Sequence, residues 1–298
     1  MRLISFQREH ETRIGLIEPE AGSVLDLRAA DRRLPWDMAT FIADADVSRR
    51  AAREAAEQAG AEARLPLEEV TLLPPMPLPV RNIICVGKNY AAHAGEFAGT
   101  AGTASGVSGD LPAHPIFFTK APTAVSGPGD AIPAYLDYTE SVDYEGELAV
   151  VIGRGGRGIR ASDAWDHVFG YTIVNDVTSR TLQKRHGQWF LGKSLDGFCP
   201  MGPMLVTADE VAAPHTMRVT THVNDEPRQD GTLADLIFDI PTLIATLSAT
   251  MTLVPGDIIA TGTPEGVGAG FDPPRYLRTG DDVAVHVTGI GTLRNTVA

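Results

Sequence analysis

Glu145 and Glu147 stand two residues apart at the entrance to the apolar run 148–152. If that run is a β-strand, its two-residue period places both carboxylates on one face. Like charges so close raise each other's pKa unless a cation lies between them, and an all-oxygen set of this kind suits Mg²⁺, Mn²⁺ or Ca²⁺. On spacing alone, a solvent-facing strand edge is the commoner arrangement. A third carboxylate, Asp176, follows the strand-like run 171–175, and strand ends open onto loops where sites form. Three carboxylates supply about half of an octahedral shell and leave positions for water and a chelating substrate. Taken singly, Asp176 would more often be a helix cap.

His93 and Glu96 are three residues apart, which makes them neighbours on one face of a helical turn. A carboxylate so placed can orient the imidazole, and an oriented His93 can act as general base toward water, as in hydrolytic triads with water in place of serine. A surface histidine paired with a glutamate is the commoner outcome of that spacing. Lys193 lies among apolar and small residues. It either snorkels to solvent or fixes an ammonium beside a metal, where it would hold a substrate carboxylate or an enolate. The run 260–268 follows a strand and offers amides and hydroxyls for anion contacts. It lacks the Walker lysine and the Rossmann spacing, which argues against a nucleotide.

The elements that must position these groups are mostly strands. Short β-prone runs at 2–6, 13–17 and 24–27 open the chain, and the Ala, Glu and Arg content between Trp36 and Ala63 favours helix. Four prolines between Leu73 and Val80 can continue neither a helix nor a central strand, so the reading divides the chain into a small N-terminal α/β domain, 1–74, and a main domain, 75–298. Beyond the prolines, strand-like runs recur at 82–86, 116–119, 148–152, 168–174, 204–206, 219–223, 258–261, 283–287 and 293–297. One helix interrupts them, with Asp239 as N-cap, Pro241 in the first turn, and Leu243, Ile244, Leu247 and Met251 on its core face. The expected fold class is mixed α+β and β-dominated, a barrel or roll of mixed sheet, because a doubly wound sheet would need helices between most strands. The Gly-rich run 99–110 reads equally as a surface insertion and as a lid over substrate.

Composition narrows the partners. Hydrophobic residues at 43% and charged residues at 21% are ordinary globular usage in a chain of 298 residues, long enough for a substantial core. A net charge of -13, with acids and bases scattered, argues against nucleic acid and against an anionic membrane surface. It leaves room for a small anionic substrate, since local cations or a metal can reverse the field inside a cleft. Cys85 and Cys199 are too few for a disulfide framework, and no run is apolar enough for a signal peptide or a membrane span, so a cytoplasmic location is expected.

Together and in this order, these motifs, with the run 223–231 from Val223 to Gly231 and the run 289–295 from Gly289 to Asn295, resemble the fumarylacetoacetate hydrolase family from about Arg81 to the C-terminus. The resemblance is greatest to its bacterial acylpyruvate hydrolases, hydroxymuconate-type isomerases and oxaloacetate decarboxylases. It implies a β-roll catalytic domain behind a small N-terminal domain, usually in a homodimer, with Mg²⁺ or Mn²⁺ held by Glu145, Glu147 and Asp176. It also implies His93 and Glu96 as the water-activating pair under a lid, Lys193 beside the metal, and Arg180, Gln183 and Thr263 as substrate contacts. The leading expectation is a hydrolase that cleaves a C–C bond in a small 2,4-dioxo acid, in the catabolism of aromatic compounds or sugar acids. The alternative is an isomerase or decarboxylase of a 2-oxo diacid, and a non-catalytic metal-binding protein comes third.

Overall fold

The computed structural model describes residues 1–8, 10–96 and 111–298. The Gly-rich run 99–110 lies outside the described residues.

A large sheet organises the molecule. Its strands run in the order Arg64–Pro66, Ser23–Asp26, Glu11–Glu18, Arg2–Arg8, Cys199–Thr207, Val168–Asn175, Gly146–Ile152, Ile258–Ala260, Ile83–Gly87 and Ile116–Lys120. Every residue of Gly146–Ile152 is buried, which explains why this strand reads as a continuous apolar run rather than an alternating one: both of its faces are covered. Leu148, Val150 and Ile152 enter an apolar cluster with the helix Ile240–Thr250 and the second sheet, while Ala149 and Val151 enter another with Leu3, Phe41 and Met201. Each such Val, Ile or Leu contributes about 1.5–3 kcal/mol by leaving water.

The second sheet has four strands, in the order Glu226–Thr232, Arg218–Val223, Asp282–Val287 and Gly291–Thr296. Its first strand was not expected, being polar and carrying Pro227. The structure shows how it forms: Asn224 and Asp225 both take positive φ, 52° and 63°, and close a tight hairpin. Pro227 is tolerated because the strand is at the sheet's edge and the register shifts between Thr221 and His222.

The expected helix appears as Ile240–Thr250, with Asp239 Oδ1 accepting from Thr242 N at 2.9 Å and Leu243, Ile244 and Leu247 buried. The helical stretch after Trp36 is two helices, Met38–Ala43 and Ala45–Gln58, broken at Asp44, which leaves the helical region with ψ at 55°. The sheet crosses residue 74 without a gap. Arg2 and Leu3 pair with Val206 and Leu205, the Met1 ammonium donates to Thr207 Oγ1 at 2.5 Å, and one apolar cluster draws on both sides of the proline string.

Candidate active site

Backbone pairing builds the acidic centre. Gly146 faces Asn175 across an antiparallel strand pair, which brings Glu145 to Asp176 although thirty-one positions separate them in the chain. Two hydrogen bonds lock that meeting: Glu145 N donates to Asn175 Oδ1 at 3.0 Å, and Asp176 N donates to Glu145 O at 2.8 Å. Glu145, Glu147 and Asp176 are all buried, and each offers a carboxylate oxygen within 4.8 Å of the other two. Glu147 is held from the other side, where Gly262 N donates to its Oε2 at 2.8 Å. Gly262 is required there, because its φ is 106° and a Cβ would come within 2.8 Å of Asn89 Cβ.

Three cations, all within the interior, surround this centre unevenly. Lys193 Nζ donates to Glu145 Oε2 at 2.8 Å and to Asp176 Oδ2 at 2.7 Å. Lys120 Nζ donates to Asp176 Oδ1 at 2.6 Å and to Val177 O at 3.0 Å. Arg180 reaches Glu145 Oε1 at 2.5 Å and donates through Nε to Asp143 Oδ2 at 2.7 Å. Burial pushes the Glu145 carboxyl up, but the Lys193 ammonium and the Arg180 guanidinium outweigh it and hold the group well below the usual carboxylate range. Glu147 goes the other way: burial, then the charges of Asp176 and Glu145, raise it well above that range, and the Gly262 amide and the Lys193 ammonium only partly oppose them. For Lys193, burial favours the neutral amine, and Asp176 with Glu145 more than reverse this to keep it charged.

This donor set fits a hard divalent cation. It is all carboxylate oxygen, it is buried, and its oxygens keep lone pairs beyond the hydrogen bonds they accept. Glu147, desolvated and without a cationic partner of its own in the hydrogen-bond network, is the group such an ion would satisfy.

One pocket collects most of the predicted residues. His93, Glu145, Glu147, Arg180, Gln183, Lys193 and Thr263 line it. Asp176 lies beneath, reached through Lys193, and Glu96 stands behind His93, its Oε2 2.8 Å from Nδ1 within the helix Ala91–Glu96. Gly266 N donates to Glu96 Oε1 at 2.7 Å, so the loop after Ile258–Ala260 serves to fix the acid that orients the histidine. Thr263 directs its hydroxyl to Gly146 O at 2.9 Å and accepts from Gln229 Nε2 at 2.7 Å, which leaves one lone pair for anything else. One wall is apolar: Trp189 meets Phe118 edge-on at 5.1 Å, and only a glycine at 87 lets the indole lie so close, since a Cβ would stand 2.4 Å from the ring.

Lys120, Asp143 and Gln229 went unrecognised in the sequence. Lys120 closes the apolar run 116–119, and a lysine that ends such a strand is the one signal it carried. Asp143 stands two residues before Glu145, but its role rests on Arg180 and on the amides of Gly268 and Ala269, all remote in the chain.

Comparison with known proteins agrees with this architecture. The chain is 48% identical to an oxaloacetate tautomerase of Bacillus subtilis over 95% of each chain. A fumarylacetoacetate hydrolase structure from the psychrophilic Exiguobacterium antarcticum superposes with a TM-score of 0.81 at 42% identity, covering 100% of this chain and 99% of that one. The maleylpyruvate hydrolase of Sphingobium sp. SYK-6, solved with manganese(II) and pyruvate, gives 0.79 at 34% identity with the same coverage. The model of the fumarylacetoacetate hydrolase C-terminal domain matches residues 82–298, and the chain belongs to the fumarylacetoacetate hydrolase family.

Proposed function

We propose that this protein is a divalent-metal-dependent enzyme that moves a proton beside the carbonyl of a small 2-oxo acid, and that its reaction is the enol–keto tautomerisation of a 2-oxo diacid such as oxaloacetate. The observation that carries the reading is the His93–Glu96 pair opening onto the same pocket as Glu145, Glu147 and Lys193. The Bacillus tautomerase, at 48% identity, favours this reaction over the C–C hydrolysis expected first from the sequence.

Glu145, Glu147 and Asp176 would hold Mg²⁺ or Mn²⁺, with Ca²⁺ a third choice. When bound, such a cation supplies a Lewis acid at the 2-oxo group. Glu96 holds His93 Nδ1, so Nε2 is the nitrogen that carries a proton to or from C3 of the substrate as the enol hydroxyl loses or gains its own. Lys193 and Arg180 keep positive charge beside the oxygens on which negative charge grows. Trp189 and Phe118 shield that side from water.

The second reading is hydrolysis of a 2,4-dioxo acid, supported by the maleylpyruvate hydrolase structure. There His93 would take a proton from the water that attacks the 4-carbonyl; the C3–C4 bond breaks, its electron pair forms the enolate of the 2-oxo acid, and C3 is then protonated. Decarboxylation of oxaloacetate needs the same enolate without a nucleophile. NMR on chelator-stripped protein, with and without Mg²⁺ or Mn²⁺, separates these outcomes. Accelerated enol–keto exchange of oxaloacetate supports the first, pyruvate plus a second acid from acylpyruvates the second, and pyruvate with carbon dioxide the third. His93→Ala should slow the tautomerisation about 10²–10⁴-fold; an undiminished rate would remove His93 from the mechanism. The same reading carries a homodimer and a cytoplasmic location, to be checked by light scattering and fractionation; among the described residues no helix is long and apolar enough to cross a membrane.

A further inference from the structure

Lys88 is the first residue past the strand Ile83–Gly87, and it lines the pocket together with His93, Glu145 and Lys193. Its φ of 54° lies in the left-handed region, where residues other than glycine, asparagine and aspartate are uncommon. The next residue holds it there. Asn89 is fully buried, its side chain donates to Phe238 O at 3.0 Å and Thr261 O at 2.8 Å, and it accepts from Phe238 N at 2.8 Å. A turn that needed only this conformation would be made most easily with glycine. Lysine at such a place directs attention to what its side chain does.

The other interior cations of the site are already committed: Lys193 to Glu145 and Asp176, and Arg180 to Asp143 and Glu145. Lys184 also lines the pocket but is exposed on the helix Arg180–Arg185, where water screens it. Lys88 is half-buried and has no hydrogen bond or ion pair among the described residues. Burial lowers its pKa, and no neighbouring carboxylate offsets that. An anion entering the pocket would.

We propose that Lys88 is the specificity-determining residue for the far end of the substrate: its ammonium pairs with a second carboxylate and so selects 2-oxo diacids over 2-oxo monoacids. This rests on the 2-oxo acid reading of the same site, and the test keeps the two apart. The Mn²⁺-loaded full chain, Lys88→Met and Lys88→Arg are compared by C3 proton exchange in NMR and by calorimetric binding, using oxaloacetate as the diacid and 2-oxobutanoate as the monoacid. Lys88→Met should raise KM and Kd for oxaloacetate about tenfold with kcat nearly kept, leave 2-oxobutanoate within about twofold, and melt with the parent chain. Lys88→Arg should restore most of the preference. Equal losses for both acids, or no loss for either, would overturn the proposal. If the parent chain exchanges no proton in any 2-oxo acid, the proposed function falls, and calorimetry still decides Lys88: equal Kd for oxaloacetate in parent and Lys88→Met removes it.

Discussion

The N-terminal strands and the floor of the pocket use the same kinds of ion pair to different ends. Around the first strands most of the pairs reach water: Arg33 bonds Asp31 with its side chain 85% exposed and Arg13 meets Glu11 at the surface, whereas Asp26, which takes Arg8 at 3.1 Å, is buried. Beneath the pocket, Lys193, Lys120, Glu147 and Asp176 are at most 1% exposed. Pairs of the first kind contribute little, since water and salt screen them and long side chains must be ordered to form them. Those of the second kind have lost hydration that their mutual attraction only partly returns, so their value lies in geometry. Three cations hold Glu145 and Asp176 in fixed orientations beside a third carboxylate that is left with an amide alone. The N-terminal region attaches through strand pairing, apolar packing and partly exposed ion pairs such as Arg49 with Asp209, and the pocket is the part of the molecule where buried charge is concentrated.

The harshest way to break this contrast is to remove residues 1–74. The shared apolar cluster and the pairing of Arg2 and Leu3 with Val206 and Leu205 lead us to expect a chain without a cooperative melting transition; a truncated chain that melts sharply and binds Mn²⁺ would make 1–74 a separate unit. Next in size is Lys193→Met, which leaves Glu145 and Asp176 facing each other without their shared cation. It should lose about 3–5 kcal/mol in denaturant unfolding, and Mn²⁺ should return part of that by taking the ammonium's place. An unchanged midpoint would mean that the buried network is dispensable.

The two glutamates give a prediction in pH with opposite signs. The depressed Glu145 contributes stability that is present above its ordinary value of 4.5 and lost as pH falls through its folded value. Glu147 is raised, so the metal-free fold binds its proton more tightly than the unfolded chain does, and stability falls as pH rises from 4.5 toward the raised value. Metal needs the deprotonated group; its affinity should therefore weaken as pH drops through that window, with proton release on binding. Calorimetry in two buffers of different ionisation enthalpy measures that release, and a value of zero would place Glu147 among the ionised groups. Smallest is Arg33→Ala at the exposed pair, expected to leave the melting temperature within about a degree. A larger drop there would erase the distinction between the two regions.

Local pattern made much of this legible. The helix Ile240–Thr250 followed from its cap, its proline and its apolar spacing, and the apolar run 148–152 was legible as a strand, although only the structure showed that both of its faces are buried. The His93–Glu96 pair was readable because i, i+3 neighbours meet within one turn. The strand Glu226–Thr232 was not, since its polar residues and Pro227 hide an edge strand whose partner defines it. Lys120 was missed for a similar reason: its meaning is Asp176, fifty-six residues away.

By itself, the sequence determined the β-dominated class, the family and the carboxylates, histidine and lysine that the structure gathers at one pocket, because these depend on residue type and on spacing within one element. Only the tertiary structure decided that Glu145 and Asp176 share Lys193, that Glu147 bonds the Gly262 amide and makes no ion pair among the described residues, and that Lys88 faces the pocket without a partner among the described residues. Strand pairing sets those relations, and pairing joins residues whose distance along the chain carries no local signal.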